Sequence, residues 1–211
     1  NKLNSSEKWS AWFFNSESKE EAKQTIGDYF SVKRGIATGS NKHFILSKKQ
    51  IIELDVPDSC WKRILPSPRY VEKNVITQNA DGSIPDLKEL YLLTITCNEN
   101  ELENLPKKLQ NYLVKISEEI GNNYLVSKRK PWYRQENRPV CPFLLTYMGR
   151  NANEPFRLFL NLTNATASNG YLMLYPKFDW ELIEKENPGF LKRLHQELLN
   201  ISSSSFTESG R

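Results

Sequence analysis

Between Val32 and Leu46 the chain reads Val-Lys-Arg-Gly-Ile-Ala-Thr-Gly-Ser-Asn-Lys-His-Phe-Ile-Leu. Lys33, Arg34, Thr38, Ser40, Asn41, Lys42 and His43 make it dense in hydrogen-bond donors. Gly35 and Gly39 give the backbone access to φ > 0 and to a close partner. Amide N–H groups in such a loop, flanked by cations, suit a phosphate. A second stretch, Lys128-Arg129-Lys130-Pro131-Trp132-Tyr133, sets cations beside flat rings, which suits a nucleic-acid backbone and its bases. A third, Thr163–Gly170, offers Asn164, Thr166, Ser168 and Asn169. Asn can read adenine bidentately, and Ser or Thr can bond several base edges. Arg63 and Arg69 are presented from the proline-stiffened run Trp61–Tyr70. The plainer readings are a glycine-containing surface loop, a basic turn with inward-packed aromatics and a polar hairpin loop.

Other chemistries find little support. No Gly-Lys-Ser/Thr closes the glycine loop, and the Gly-x-Gly-x-x-Gly spacing of dinucleotide sites is absent. Pro57-Asp58 followed by Asp86-Leu87-Lys88 imitates a metal-nuclease pattern, but Asp86 follows a proline in a turn-rich stretch. Neither histidine, His43 or His195, has a Ser or Cys partner in a recognisable motif. Cys60, Cys97 and Cys141 are odd in number and unevenly spaced, with neither metal spacing nor a disulfide framework, so a reducing cytoplasm is expected. A net charge of +4 over 211 residues permits a polyanionic partner without demanding one. No apolar run approaches the roughly 18 residues of a membrane span, and no membrane partner is expected.

The elements that must hold these stretches are partly legible. Ser47-Lys-Lys-Gln50 is a capping box opening a short helix before Ile51, Ile52 and Leu54. Leu105, Leu109, Leu113, Ile116 and Ile120 recur at helical steps, with Pro106 in the first turn and Gly121 at the end. Asp81-Gly82 marks a turn. Strands are expected at Tyr91–Thr96, Phe143–Met148, Phe156–Leu162 and Tyr171–Tyr175. In Phe156–Leu162 the alternation sets Arg157, Phe159 and Asn161 opposite Phe156, Leu158 and Leu160. Asn187 caps and Pro188 opens a last helix, with Leu191, Leu194 and Leu198 on its apolar side and His195 at or near its surface. Trp9, Trp12 and Phe13 suit a docking helix in a leading segment, 1–25. A main domain of 26–200 and a flexible tail of 201–211 complete the expected organisation. The fold class is α+β, a twisted, mainly antiparallel sheet carrying all four strands, with the 105–120 helix packed on it.

Four runs together carry a resemblance: 32–44, Lys-Arg-Lys-Pro-Trp-Tyr at 128–133, Pro-Phe-Leu-Leu-Thr-Tyr-Met-Gly-Arg at 142–150, and 155–176 from Pro-Phe-Arg-Leu to Leu-Tyr-Pro. In this order, across residues 26–200, they resemble the C-terminal part of Eco57I/TaqI-type adenine-N6 DNA methyltransferases of restriction–modification systems. That family has an upstream Rossmann-like catalytic domain with an Asn-Pro-Pro-Tyr motif and a glycine-rich loop for S-adenosylmethionine. Neither motif occurs here, and Asn187-Pro188-Gly189-Phe190 departs at its third position. The resemblance therefore implies a TaqI-like specificity domain, itself non-catalytic and without cofactor. Its partners would be double-stranded DNA and the catalytic domain of the same parent chain, where S-adenosylmethionine would bind. The start at Asn1 and the polar tail fit an excised fragment. Arg150 joins the implied DNA-contacting set from the third run. The competing expectations are a protein-interaction module docking on a methyltransferase core and, behind it, a metal-dependent nuclease.

Overall fold

The computed structural model describes residues 25–147 and 156–208, with side chains to 200. After a single helical turn, α1 (Ile26–Tyr29), the first strand is β1 (Phe30–Arg34). Its neighbours in a five-stranded sheet are β8 (Tyr171–Pro176), β6 (Phe143–Thr146), β7 (Leu158–Leu162) and β4 (Val75–Thr77), in that order. All pairings are antiparallel except β4 with β7. A second sheet sets β5 (Leu90–Leu93) between β2 (Ile45–Ser47) and β3 (Trp61–Arg63). The fold is α+β and mostly antiparallel, as expected, but Tyr91–Thr96 does not join the main sheet. The strand that forms there, Leu90–Leu93, is claimed on both edges by two short strands of the N-terminal half.

The helices divide accordingly. α2 (Asn41–Phe44) and α3 (Lys48–Glu53) flank β2. Ser47 and Gln50 cap α3 reciprocally, each backbone N–H donating to the other's side chain. α4 (Lys107–Ile120) buries Leu109, Leu113, Ile116 and Ile120 against Phe44, Leu46, Leu92 and Leu93. It therefore covers the small sheet, not the large one. Pro106, lacking an N–H, stands just before α4 as its cap residue. α5 (Tyr124–Ser127) follows directly.

The large sheet is covered on both faces. On one, α6 (Trp180–Glu186) and α7 (Phe190–Glu208) lay Trp180, Leu191, Leu194 and Leu198 against Phe143, Leu158, Leu160 and Leu174. On the other, Leu144, Phe159, Tyr171 and Met173 meet Leu65, Val71, Ala165 and Ala167. Phe159 and Asn161 thus do face away from Leu158 and Leu160, but into a second core.

α7 begins at Phe190, not Pro188. Gly189 adopts φ +86°, and Glu184 of α6 accepts the N–H groups of Gly189 and Leu191, 2.8 Å each. Asn187 is therefore not its side-chain cap. His195 is buried, its Nε2 3.0 Å from the Leu158 carbonyl. The helix continues to Glu208 across the stretch expected as a tail. Trp9, Trp12, Phe13 and Met148 lie outside the described residues.

Candidate nucleic-acid interface

The glycine loop is closed by its own chain. A Cβ on Gly35 would stand 2.1 Å from the Ser168 carbonyl oxygen. Ile36 donates to Ala167 O and Asn169 donates back to Ile36 O, 2.9 and 3.0 Å. Gly39, at φ +81°, faces Val126 Cγ2, and Asn123 Nδ2 donates to its carbonyl. The close approach that Gly35 permits is taken by the backbone of Ser168, which corrects the expectation of an open phosphate cradle. Thr38 is buried, donating to Asn41 Oδ1 at 2.6 Å while accepting from Ser40 N–H. His43 is buried between Ser40 Oγ (2.7 Å from Nδ1) and Glu119 Oε2 (3.0 Å from Nε2). Tyr112 of α4 donates to the His43 carbonyl. Of the seven donors read from this loop, Lys33, Arg34, Asn41 and Lys42 have exposed side chains, and Asn41 turns its oxygen inward.

The basic run splits in the same way. Arg129 donates to the carbonyls of Thr38 (2.6 Å) and Ala37 and to Gln135 Oε1 (3.2 Å). Burial lowers its pKa. Tyr133 is 1% exposed and donates to Cys97 O at 2.9 Å; burial pushes its phenol up to about 12. Trp132 is half-buried, edge-on to Tyr133 and 6.3 Å from the Phe44 ring. Tyr133 is thus internal and half-buried Arg129 is committed to main-chain carbonyls; a stacking role for Tyr133 is excluded by its burial. Lys128, 5.6 Å over the Tyr124 ring, and Lys130 remain outside.

Residues 163–170, expected to be too polar for a core, form the brace between the sheets. Thr166 donates to Arg63 O and accepts from Leu65 N–H, both 2.9 Å, while Ala167 and Asn169 bind Ile36 on the other side. Thr166 and Ser168 are buried. The polar side chains serve backbone groups: Asn161 Nδ2 donates to Cys141 O and Ala165 O, and its Oδ1 accepts from Thr163. Buried amides and hydroxyls survive when their hydrogen bonds are made. Asn164 stays exposed and Asn169 half-buried.

One end of the large sheet still presents cations and rings. Arg34, closing β1, lies 4.6 Å over the Tyr147 ring; Arg69 lies 4.7 Å over Tyr70. Tyr147 donates to Gly170 O, and a Cβ on Gly170 would lie 3.0 Å from Pro68 Cδ, so the two pairs share one rim. Tyr147 and Tyr70 are 44% and 60% exposed. Neither tyrosine was singled out as a contact in the sequence, although Tyr70 closes the Trp61–Tyr70 run and Tyr147 lies inside the 142–150 run. Arg63, Arg134 and Arg157 are spent instead, on Glu89 and Tyr91, on Thr96 O, and on Val71 O and Glu72 O. Lys33 lies 5.9 Å over Tyr175. Arg150 lies outside the described residues.

Asp86 of the nuclease-like pattern pairs with Lys73 at 2.7 Å. Among the described residues no group of three or more His, Cys, Asp or Glu gathers to hold a metal. No helix of the described residues is long and apolar enough to cross a membrane.

Comparison with known proteins adds lineage. The family described as "Type II methyltransferase M.Eco57I, C-terminal domain" matches residues 7–191. The type II methyltransferase M.AccI of Acinetobacter calcoaceticus is 27% identical over 168 residues, covering 78% of this chain and 30% of that protein. The chain thus spans under a third of that relative's length. Among solved structures, the type IIL restriction–modification enzyme MmeI in complex with DNA aligns at TM-score 0.43 and 13% identity, over 76% of this chain and 21% of that one.

Proposed function

This chain belongs to the M.Eco57I C-terminal domain family of type II methyltransferases, and we propose that it grips duplex DNA and reads the target site for a catalytic domain carried elsewhere in its parent chain. The observation that carries this reading is the shared rim of Arg34–Tyr147 and Arg69–Tyr70, where charge unspent on described protein acceptors lies against exposed rings. Phosphate contacts of this kind position a duplex, while neighbouring polar groups read base edges. The parent enzyme is a site-specific adenine-N6 methyltransferase, and S-adenosylmethionine binds in its catalytic domain. An enzyme that modifies a base must extrude it from the stack, so a second domain holding the duplex is needed. Asn169, Lys128, Lys130 and Lys42 extend the contact surface. Arg150, outside the described residues, is assigned to the same role from its sequence run alone.

The test is salt-dependent binding of a DNA duplex by the 211-residue chain. Arg34→Gln and Arg69→Gln should weaken all sequences alike and lower the logarithmic salt slope by about 0.9 for each phosphate no longer neutralised. Binding with an unchanged slope would remove the rim from the interface.

A further inference from the structure

Beyond α4 the chain forms a small tip. Gly121 ends that helix, and α5 turns Tyr124 and Leu125 outward, 72% and 44% exposed. Tyr124 is the most exposed large apolar side chain among the described residues. The tip is firmly braced. Val126 is fully buried in the core of the small sheet. Asn123 accepts from Leu125 N–H at 3.1 Å and donates to Gly39 O at 2.8 Å. Ser127 Oγ donates to Tyr124 O at 3.0 Å. A Cβ on Gly39 would lie 3.3 Å from Leu125 Cβ, so the tip rests on the end of the glycine loop. Singly exposed apolar residues need no explanation, but here two adjoin on a braced turn with cations beside them. Lys128 Nζ stands 5.6 Å over the Tyr124 ring. Lys128 and Lys130 are exposed and form no ion pair among the described residues. Of the carboxylates ending α4, Glu119 lies 3.0 Å from His43 Nε2 and 4.0 Å from Lys42 Nζ, while Glu118 is exposed.

We propose that Tyr124 and Leu125 form an apolar wedge that enters the minor groove of the duplex at a base step, with Lys128 and Lys130 on the bordering phosphates. This rests on the DNA-binding reading and adds to it a contact that charge does not supply. Apolar side chains pressed between base steps are a recurrent device of minor-groove proteins. That groove is about 6 Å wide, so a lysine 5.6 Å from the ring reaches its phosphate wall. Arg34 and Gly39 are five residues apart, so at most about 18 Å of chain separates the cationic rim from the support of the tip. One duplex turn of about 34 Å accommodates both. Tyr124 with Lys128 is then a third exposed ring–cation pair, after Arg34–Tyr147 and Arg69–Tyr70.

The experiment measures the affinity of the 211-residue chain for an A·T-rich DNA duplex at several salt concentrations, with a melting curve for each variant. Tyr124→Ala and Leu125→Ala should each weaken binding about tenfold, because an apolar contact is lost. The salt slope should not change, since no phosphate is released, and the melting temperature should hold, since both side chains are exposed. Tyr124→Phe should keep the affinity. Distamycin, a minor-groove ligand, should compete with the unaltered chain. Unaltered affinity in both alanine variants, or binding indifferent to distamycin, overturns the proposal. A flattened salt slope in Tyr124→Ala would reduce the tip to a support for Lys128, and a loss that tracks melting would make it structural; either result also overturns the wedge. Duplex binding that responds to Arg34→Gln but to neither alanine variant rejects the wedge and leaves the DNA reading standing. Absence of any duplex binding rejects both.

Discussion

Arg129 donates through Nη1 to the carbonyl of Thr38 at 2.6 Å, across 91 positions of sequence. This bond, with those to Ala37 and Gln135, ties the basic run to the glycine loop. The middle cation of the run is thereby a structural strut.

Arg129→Gln should therefore lower stability by about 2–3 kcal/mol, because it strips a charged donor from partly buried carbonyls. The salt slope of duplex binding should not change. Lys128→Gln and Lys130→Gln should leave stability within about 0.5 kcal/mol. Denaturant melts beside binding isotherms at several salt concentrations separate these outcomes. A flattened slope with Arg129→Gln at unchanged stability would contradict the assignment.

Gly35→Ala should be among the most damaging small substitutions in the chain. Its Cβ would meet the Ser168 carbonyl at 2.1 Å, and that atom is backbone held in the brace, not the tip of a movable side chain. The expected cost is about 3 kcal/mol or more, as for overpacking without relief. Gly82→Ala in the Asp81–Ser83 turn would meet only Gln78 Nε2, at an ordinary 3.7 Å, and has its φ of +81° to oppose it, so about 1 kcal/mol is expected. Thermal melts of the two variants give the comparison.

Three asparagines should separate cleanly. Asn161→Ala removes bonds to Cys141 O, Ala165 O and Thr163 at a buried position and should cost about 2–3 kcal/mol. Asn41→Ala removes the acceptor of Thr38 Oγ1 and should cost about 1 kcal/mol, leaving the methylated sequence of the full-length parent unaltered. Asn164→Ala, with an exposed amide, should keep the melting curve and change only DNA contacts. Methylation sequencing beside melting curves tests all three; a relaxed target site with Asn41→Ala at full stability would reverse its assignment.

Alkaline stability should reflect the buried phenols. Burial raises the pKa of Tyr171 and pushes Tyr133 and Tyr175 up to about 12, whereas tyrosines of the unfolded chain ionise near pH 10. The native state thus holds protons that the unfolded state releases. The corresponding stability is fully present below about pH 10 and is lost as pH rises toward 12, at about 1.4 kcal/mol per pH unit for each such group. Tyr133→Phe should lower stability at neutral pH by about 1 kcal/mol, through loss of its bond to Cys97 O, and should flatten the alkaline decline. Urea midpoints from pH 8 to 12 would show it; an equally steep decline in the variant would place the titration elsewhere.

Much of the local structure was legible. The α4 stripe, the Ser47–Gln50 box and strands β6 and β8 follow from residues two to four positions apart, whose geometry is set by helical or strand period alone. Family membership was legible in the order of the four runs. Three things depended on distant residues. Leu90–Leu93 joined the small sheet because β2 and β3 lie on either side of it. The polar 163–170 segment became internal because Arg63, Leu65 and Ile36 supply the backbone partners that its composition alone does not reveal. The sequence likewise offered Arg34, Arg69 and Arg129 alike as candidate DNA contacts. Tertiary structure separated them, because a guanidinium faces solvent or the interior according to which carbonyls fold beside it: Arg129 met those of Ala37 and Thr38, while Arg34 and Arg69 met exposed tyrosine rings.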